Sequence, residues 1–256
     1  MGNFKVVVAD DEAEFDRLAA DEVTRLLQQK PEAVLGLPTG STPVGLYAEL
    51  RKRYREGRIS LRAATSFNLD EYVGLAPEHP QSYHAFMQEH LFGGIDLPKE
   101  RTFLPEGIGD PQLAAARYEE LLAKYGPIDL MILGIGRNGH IGFNEPGTSF
   151  KSGVHPAMLT QSTIKANARF FASEDEVPKQ AITMGIGNIL AARRIMLLAK
   201  GASKAQAIRA TVCGEMSEQV PASALQSHPD VLLILDREAA ALLVADQEAG
   251  ASCRIG

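Results

Sequence analysis

Cysteine is scarce in this chain: Cys213 and Cys253 are the only two among 256 residues. Two thiols so far apart announce neither a disulfide scaffold nor a thiolate metal site, and the expectation is a pair of reduced cysteines in a cytosolic protein. Long apolar runs are missing too, since nothing approaches the roughly 20 residues needed to span a bilayer. The opening Met1-Gly2-Asn3-Phe4-Lys5 and Val6 to Ala9 reach Asp10, Asp11 and Glu12 too soon for a signal peptide. A cytoplasmic location without a membrane partner is expected. Basic blocks are absent as well. The 26 Lys plus Arg are scattered among 32 Asp plus Glu, for a formal net charge of −6, which disfavours nucleic acid as a partner. A local anion site stays open.

What is present is an ordered alternation. A chain of this length buries about three quarters of its extended surface in one large domain without staples. Phe4 to Ala9 reads as a strand, and Phe15, Leu18, Ala19, Val23, Leu26 and Leu27 fall on one helix face before Pro31. Strands are expected at Ala33 to Leu37, Ala63 to Leu69, Ile128 to Ile135, Ile195 to Ala199 and Val231 to Leu235. Helices are expected at Pro43 to Tyr54, Ser82 to Phe92, Pro111 to Lys124, Ser203 to Val212 and Ala239 to Val244, with a short one beginning near Pro178. Lys165 to Glu176 carries no clear periodicity, and the polar tail reads as loosely held. No repeat or linker divides the chain. The succession predicts one α/β domain over residues 1–256, a mostly parallel, Rossmann-like open sheet in a three-layer α/β/α sandwich. Its working face should lie beyond the C-terminal strand ends.

Three loops there carry chemistry. Leu37-Pro38-Thr39-Gly40-Ser41-Thr42-Pro43 joins a strand to a helix. Gly40 permits close backbone approach, and Ser41, Thr42 and nearby amides can donate to an anion. A plain structural turn is the alternative, because the segment is neither a Walker A sequence nor a G-x-G-x-x-G fingerprint. Arg169 and Lys204 are distant cations that fit either a completed anion site or a solvated surface. Phe67-Asn68-Leu69-Asp70-Glu71-Tyr72 places Asp70 just past a strand, where its carboxylate can take a carbon-bound proton. A capping or surface carboxylate is the other reading, and Glu71 leaves open which acid points inward.

The third loop, Gly134 to Pro146, holds Arg137, Asn138, His140 and Glu145. His140 and Glu145 can meet across a turn as proton relay and imidazole partner, or His140 is simply a satisfied loop histidine. Metal ligation by Asp70, His140 and Glu145 is the weaker reading, since no H-E-x-x-H motif or cysteine cluster is present. Arg137 reads most simply as an exposed charge.

Taken jointly, LPTGSTP at 37–43, FNLDEYVGL at 67–75 and GHIGFNEP at 139–146 closely resemble the signature segments of the glucosamine-6-phosphate deaminase family. The resemblance extends through Asn167-Ala168-Arg169-Phe170-Phe171, Val177 to Ala181 and Gly201 to Lys204, over nearly the whole chain. It implies conversion of D-glucosamine 6-phosphate and water into D-fructose 6-phosphate and ammonium, with no cofactor and no metal, on a small phosphorylated amino sugar. By the same resemblance His140 opens the sugar ring and Asp70 moves the C2 proton to C1. Glu145 supports His140, and Thr39, Gly40, Ser41, Thr42, Arg169 and Lys204 hold the phosphate. A lid is implied around residues 148–180.

Two departures from the family pattern stand out. Asn138 replaces an Asp found in some members, so it hydrogen-bonds without adding charge and leaves more of the electrostatic role to Glu145. Ser152 to Met158 lacks the Arg-x-Lys-Thr arrangement of allosteric relatives, which implies weak or absent activation by N-acetylglucosamine 6-phosphate. A related 6-phosphogluconolactonase, a galactosamine-6-phosphate deaminase and a noncatalytic sugar-phosphate sensor are the competing functions. The chain is expected to be a monomer or small homo-oligomer.

Overall fold

Apolar runs bounded by turn residues become strands here, and the amphipathic stretches between them become the helices that cover them. The computed structural model describes residues 4–168, 171, 173–248 and 253. In chain order its elements are β1 (Phe4–Ala9), α1 (Glu12–Gln29), β2 (Val34–Leu37), α2 (Val44–Arg55), β3 (Thr65–Asn68), β4 (Asp70–Tyr72), α3 (Tyr83–His90), β5 (Thr102–Phe103) and α4 (Pro111–Tyr125). Then come β6 (Leu130–Leu133), β7 (His155–Met158), α5 (Gln161–Asn167), β8 (Gln180–Thr183), α6 (Ile186–Leu190), β9 (Ile195–Ala199), α7 (Ala205–Cys213), β10 (Val231–Asp236) and α8 (Arg237–Glu248).

Seven of the described strands form one sheet in the order β1-β10-β9-β6-β2-β3-β5, and every neighbouring pair runs parallel. All four residues of β6 are buried, as strands covered on both faces must be. Alternate side chains enter opposite layers. Met131, Leu133, Ile195, Leu197 and Leu233 pack with Tyr118 of α4, Ile208 and Val212 of α7 and Leu243 of α8. Leu130, Ile132, Met196 and Ile234 pack with Phe15 and Val23 of α1, Leu46 and Leu50 of α2 and Met87 of α3. The expected three-layer sandwich is thus built from two cores, each Leu, Ile or Val adding about 1.5–3 kcal/mol on burial. Side-chain caps start α1 and α4: Asp11 accepts from the Glu14 amide and Asp110 from the amides of Gln112 and Leu113.

A second, three-stranded sheet, β4-β8-β7, is antiparallel. The chain crosses from the parallel sheet into it at Leu69, so Asp70 stands at the junction. This sheet corrects one expectation. The segment after Pro178 is a strand, because residues 180–183 pair with β7 and residues 181–183 also with β4, and the helix starts only at Ile186 after Gly185. In the stretch without periodicity, α5 ends at Asn167 and a 3₁₀ turn covers Glu174–Glu176.

The cysteines are a second correction. Cys213 and Cys253 form a disulfide, with Cα atoms 4.4 Å apart. Both α7 and α8 return from parallel strands, so they end at the same edge of the molecule, and 40 residues of sequence separation collapse to bonding distance. Among the described residues no helix is long and apolar enough to cross a membrane.

Candidate active site

Chain order and sheet order part company between β2 and β6. From β2 the chain continues to β3 and β5 on one side, and from β6 to β9 and β10 on the other. The loops leaving these two adjacent strands are therefore drawn apart, which is where open α/β sheets receive ligands. Two loops singled out by sequence, 38–43 and 134–146, leave from this point, and β3 delivers Asp70 beside them.

The first loop is held from below. The Tyr47 hydroxyl donates to the Pro38 carbonyl and the Asn68 side-chain amide to the Leu37 carbonyl at 2.9 Å. Gly40 turns the chain with φ at +93°, a region costly for any residue with a Cβ. Pro43 precedes α2 without a side-chain cap, which leaves the first amides of that helix for an anion. The Tyr83 hydroxyl reaches Thr39 from α3.

Asp70 and Glu71 are both buried but do different things. The Glu71 carboxylate accepts from the amides of Tyr72, Tyr83 and His84 at 2.8, 3.0 and 3.1 Å and pairs with His84 Nδ1 at 2.9 Å, so it fastens the start of α3. Asp70 turns toward the loop after β6, where a Cβ placed on Gly142 would stand 3.6 Å from its Oδ2. Burial, and then the neighbouring Glu71 charge, push the Asp70 carboxyl up to about 8. Glu71 is thus engaged by the start of α3, and Asp70 is the acid that faces the loop after β6.

His140 and Glu145 do meet. His140 Nδ1 lies 3.5 Å from Glu145 Oε2, with no hydrogen bond formed at that ring nitrogen. Asn138 Nδ2 donates to the same Oε2 at 2.7 Å, and its Oδ1 accepts from the His140 amide at 3.2 Å. Oε1 accepts from Thr163 at 2.5 Å and Thr160 at 3.2 Å. Burial opposes ionisation of Glu145, but contact with His140, the Thr163 donor, the electrostatic pull of His140 and the Asn138 donor together outweigh it and hold the carboxyl down to about 2. The loop closes tightly, with Gly136 donating to the His140 carbonyl at 2.9 Å. A Cβ on Gly136 would overlap the His140 ring.

Lys204 ends a 3₁₀ turn (Ala202–Lys204) after β9, on the same sheet edge and one strand beyond β6. Arg169 lies outside the described residues. Arg137 is exposed. Asp70, His140 and Glu145 do not bring three donor atoms within 4.8 Å of one another; among the described residues that spacing occurs at Cys213, Asp246 and Cys253, where the sulfurs are already joined and Asp246 pairs with Arg209. A cleft of about 450 Å³ opens farther along the edge, lined by Asp10, Glu12, Lys200, Asp236, Arg237 and Glu238. Its two cations are paired, Lys200 with Glu12 and Arg237 with Asp10, and its acidic rim suits no phosphate.

Sequence reasoning missed Tyr83 and Thr163. Tyr83 lies in the helix expected over Ser82 to Phe92, and nothing in that pattern marks its hydroxyl for Thr39. Thr163 lies just ahead of the stretch from Lys165 to Glu176, in a segment for which the sequence predicts no element, so no signal marks it.

The sequence model of the "Glucosamine-6-phosphate isomerases/6-phosphogluconolactonase" family matches residues 10–233. The chain belongs to this family. A glucosamine-6-phosphate deaminase of Hahella chejuensis is 54% identical over 239 residues, covering 93% of this chain and 92% of that one. A second, from Cellvibrio japonicus, is 52% identical over 245 residues, with 95% and 93% covered. Among solved structures, a monomeric glucosamine-6-phosphate deaminase aligns with a TM-score of 0.91 at 48% identity, over 93% of this chain and 99% of that one. The 6-phosphogluconolactonase of Trypanosoma brucei aligns at 0.81 over 95% of this chain and 100% of that one, with 19% identity, a likeness of fold alone. The parallel sheet and the crevice between β2 and β6 thus belong to a family fold.

Proposed function

We propose that the chain converts D-glucosamine 6-phosphate and water into D-fructose 6-phosphate and ammonium. The observation that carries this reading is the buried Asp70 carboxyl, held near 8 beside a loop that pairs His140 with Glu145, in a chain more than half identical to deaminases of the same family.

The chemistry follows from these groups. Thr39, Ser41, Thr42, the amides at the start of α2, Lys204 and Arg169 hold the 6-phosphate and leave C1 and C2 over the crevice. His140, kept in orientation by Glu145 and Asn138, moves a proton from the C1 hydroxyl to the ring oxygen and so opens the ring. Asp70, ionised, takes the C2 proton and returns it to C1 through an enolamine. A carboxylate pushed up by burial is a stronger base than one in water. Water adds to the resulting C2 imine, and ammonium leaves.

The span 148–180 serves as a lid: it carries β7 and α5, and Ile164, Ala157 and Val177 pack against Phe143 of the catalytic loop and Tyr72 of β4. The protein works in the cytoplasm as a monomer; the monomeric state of a deaminase 48% identical to it supports the second part of this reading.

The test incubates purified protein with glucosamine 6-phosphate, without added metal or nucleotide, and measures fructose 6-phosphate and ammonium together. Equal yields of both, abolished in Asp70→Asn, are expected. Binding without either product would overturn the reading in favour of a sensor.

A further inference from the structure

We propose that Thr163 is a positioning residue of the catalytic loop: its hydroxyl fixes the Glu145 carboxylate that orients His140, so that docking of α5 and readiness of the His140–Glu145 pair are a single event. The inference deepens the functional reading above and rests on it for its kinetic arm.

Helix capping does not account for this hydroxyl. α5 begins after Thr160, whose side chain accepts from the Thr163 amide at 3.3 Å, the ordinary N-cap arrangement. In a capping box the residue three positions on would be Glu or Gln, reaching back to the cap. Here that position is Thr163, and its Oγ1 donates away from the helix to Glu145 Oε1 at 2.5 Å. Thr160 Oγ1 also lies 3.0 Å from Thr163 Oγ1 and 3.2 Å from the same carboxylate oxygen. Two hydroxyls of one helix turn thus converge on one oxygen.

The other oxygen of Glu145 faces the chemistry, with Asn138 at 2.7 Å and His140 Nδ1 at 3.5 Å. A carboxylate is planar, so a donor that fixes Oε1 also fixes the direction of Oε2. Thr163 is buried, as is Ile164 beside it, and Ile164 joins the cluster holding Phe143 and Tyr72. The same turn therefore anchors apolar contacts to both halves of the site and a polar contact to its carboxylate. If α5 left, Glu145 would lose both hydroxyls at once and be free to swing from the imidazole.

The experiment is a double-mutant cycle with Thr163→Val, which keeps shape and removes the donor, Thr163→Ser, which restores it, and Glu145→Gln. With glucosamine 6-phosphate, T163V should lower kcat about ten-fold with KM within two-fold, and T163S should recover to within two-fold of the parent. In the E145Q background T163V should add nothing, because residues acting as one unit are not additive. A readout without turnover runs beside it: carbethoxylation of His140 by diethyl pyrocarbonate, followed by mass spectrometry. T163V should accelerate it at least three-fold, T163S should not, and E145Q should erase the difference. Additive losses in the cycle, or His140 reactivity unmoved by T163V, would overturn the proposal. Absence of turnover in the parent protein would refute the deaminase reading alone, while the His140 reactivity still decides the role of Thr163.

Discussion

Asn138 and His140 share one carboxylate oxygen: Glu145 Oε2 takes a hydrogen bond from the Asn138 amide at 2.7 Å and faces His140 Nδ1 at 3.5 Å. Because Asn138 brings a donor and no charge, the mechanism proposed above leaves to Glu145 the negative charge beside His140. Glu145→Gln should therefore lower kcat at least a hundred-fold, within the range typical of positioned acid–base groups, while KM changes less than about three-fold. Steady-state kinetics on the purified variant decides it; a kcat within ten-fold of the parent would remove Glu145 from the mechanism.

On the mechanism proposed above, Asp70 should set the pH dependence of both activity and stability. With its carboxyl at about 8 against an ordinary 3.8, the base is ionised only as pH approaches 8, so kcat/KM should climb through that region. For stability the sign is opposite. The folded state keeps the proton between roughly pH 4 and 8 while the unfolded chain releases it, so stability is lost as pH rises across that window. Asp70→Asn removes the effect and should melt at least about 3 °C above the parent at pH 8.5, with little difference at pH 4. Equal melting shifts at both pH values would contradict the buried, unpaired carboxyl.

Gly136 is held to glycine by the His140 ring. Its Cβ position is occupied by imidazole atoms, and the backbone there is not in the left-handed region, so Gly136→Ala tests the contact without turn strain. It should cost about 1–3 kcal/mol, the usual range for overpacking, and lower kcat at least ten-fold by displacing the ring. Denaturant titration with assays on the same sample would show it. Normal activity would mean that His140 tolerates being moved.

The Cys213–Cys253 disulfide closes a loop of 40 residues around β10 and α8. Loops of this size are stabilised by about 2–4 kcal/mol through restriction of the unfolded chain. Cys213→Ser should lose that much in urea unfolding and keep full activity, since neither sulfur lies at the crevice. Two free thiols titrated in the untreated native protein would refute the pairing.

Activation by N-acetylglucosamine 6-phosphate should be absent. Residues 155–158 read His-Pro-Ala-Met and form β7, paired along its length with β8, and none of them offers the Arg-x-Lys-Thr cations that would hold a second phosphate. Rates at sub-saturating substrate, with and without millimolar effector, would show no rise; a two-fold rise would reveal an effector site elsewhere.

Sequence by itself determined the layers and the chemistry. Continuous apolar runs such as Leu130 to Leu133 and Val231 to Leu235 demand cover on both faces, and helical periods between them supply it. His140 and Glu145 lie five residues apart on a glycine-rich turn, so their meeting was a local matter. The tertiary structure decided what depends on distant partners. Strand geometry sends Asp70 and Glu71 to opposite sides, yet only the α3 amides that capture Glu71 say which acid remains for the crevice. Thr163 reaches Glu145 across 18 residues from a segment for which the sequence predicts no element. The cysteines pair because two helices returning from parallel strands end side by side, a consequence of sheet order that no local window of sequence contains.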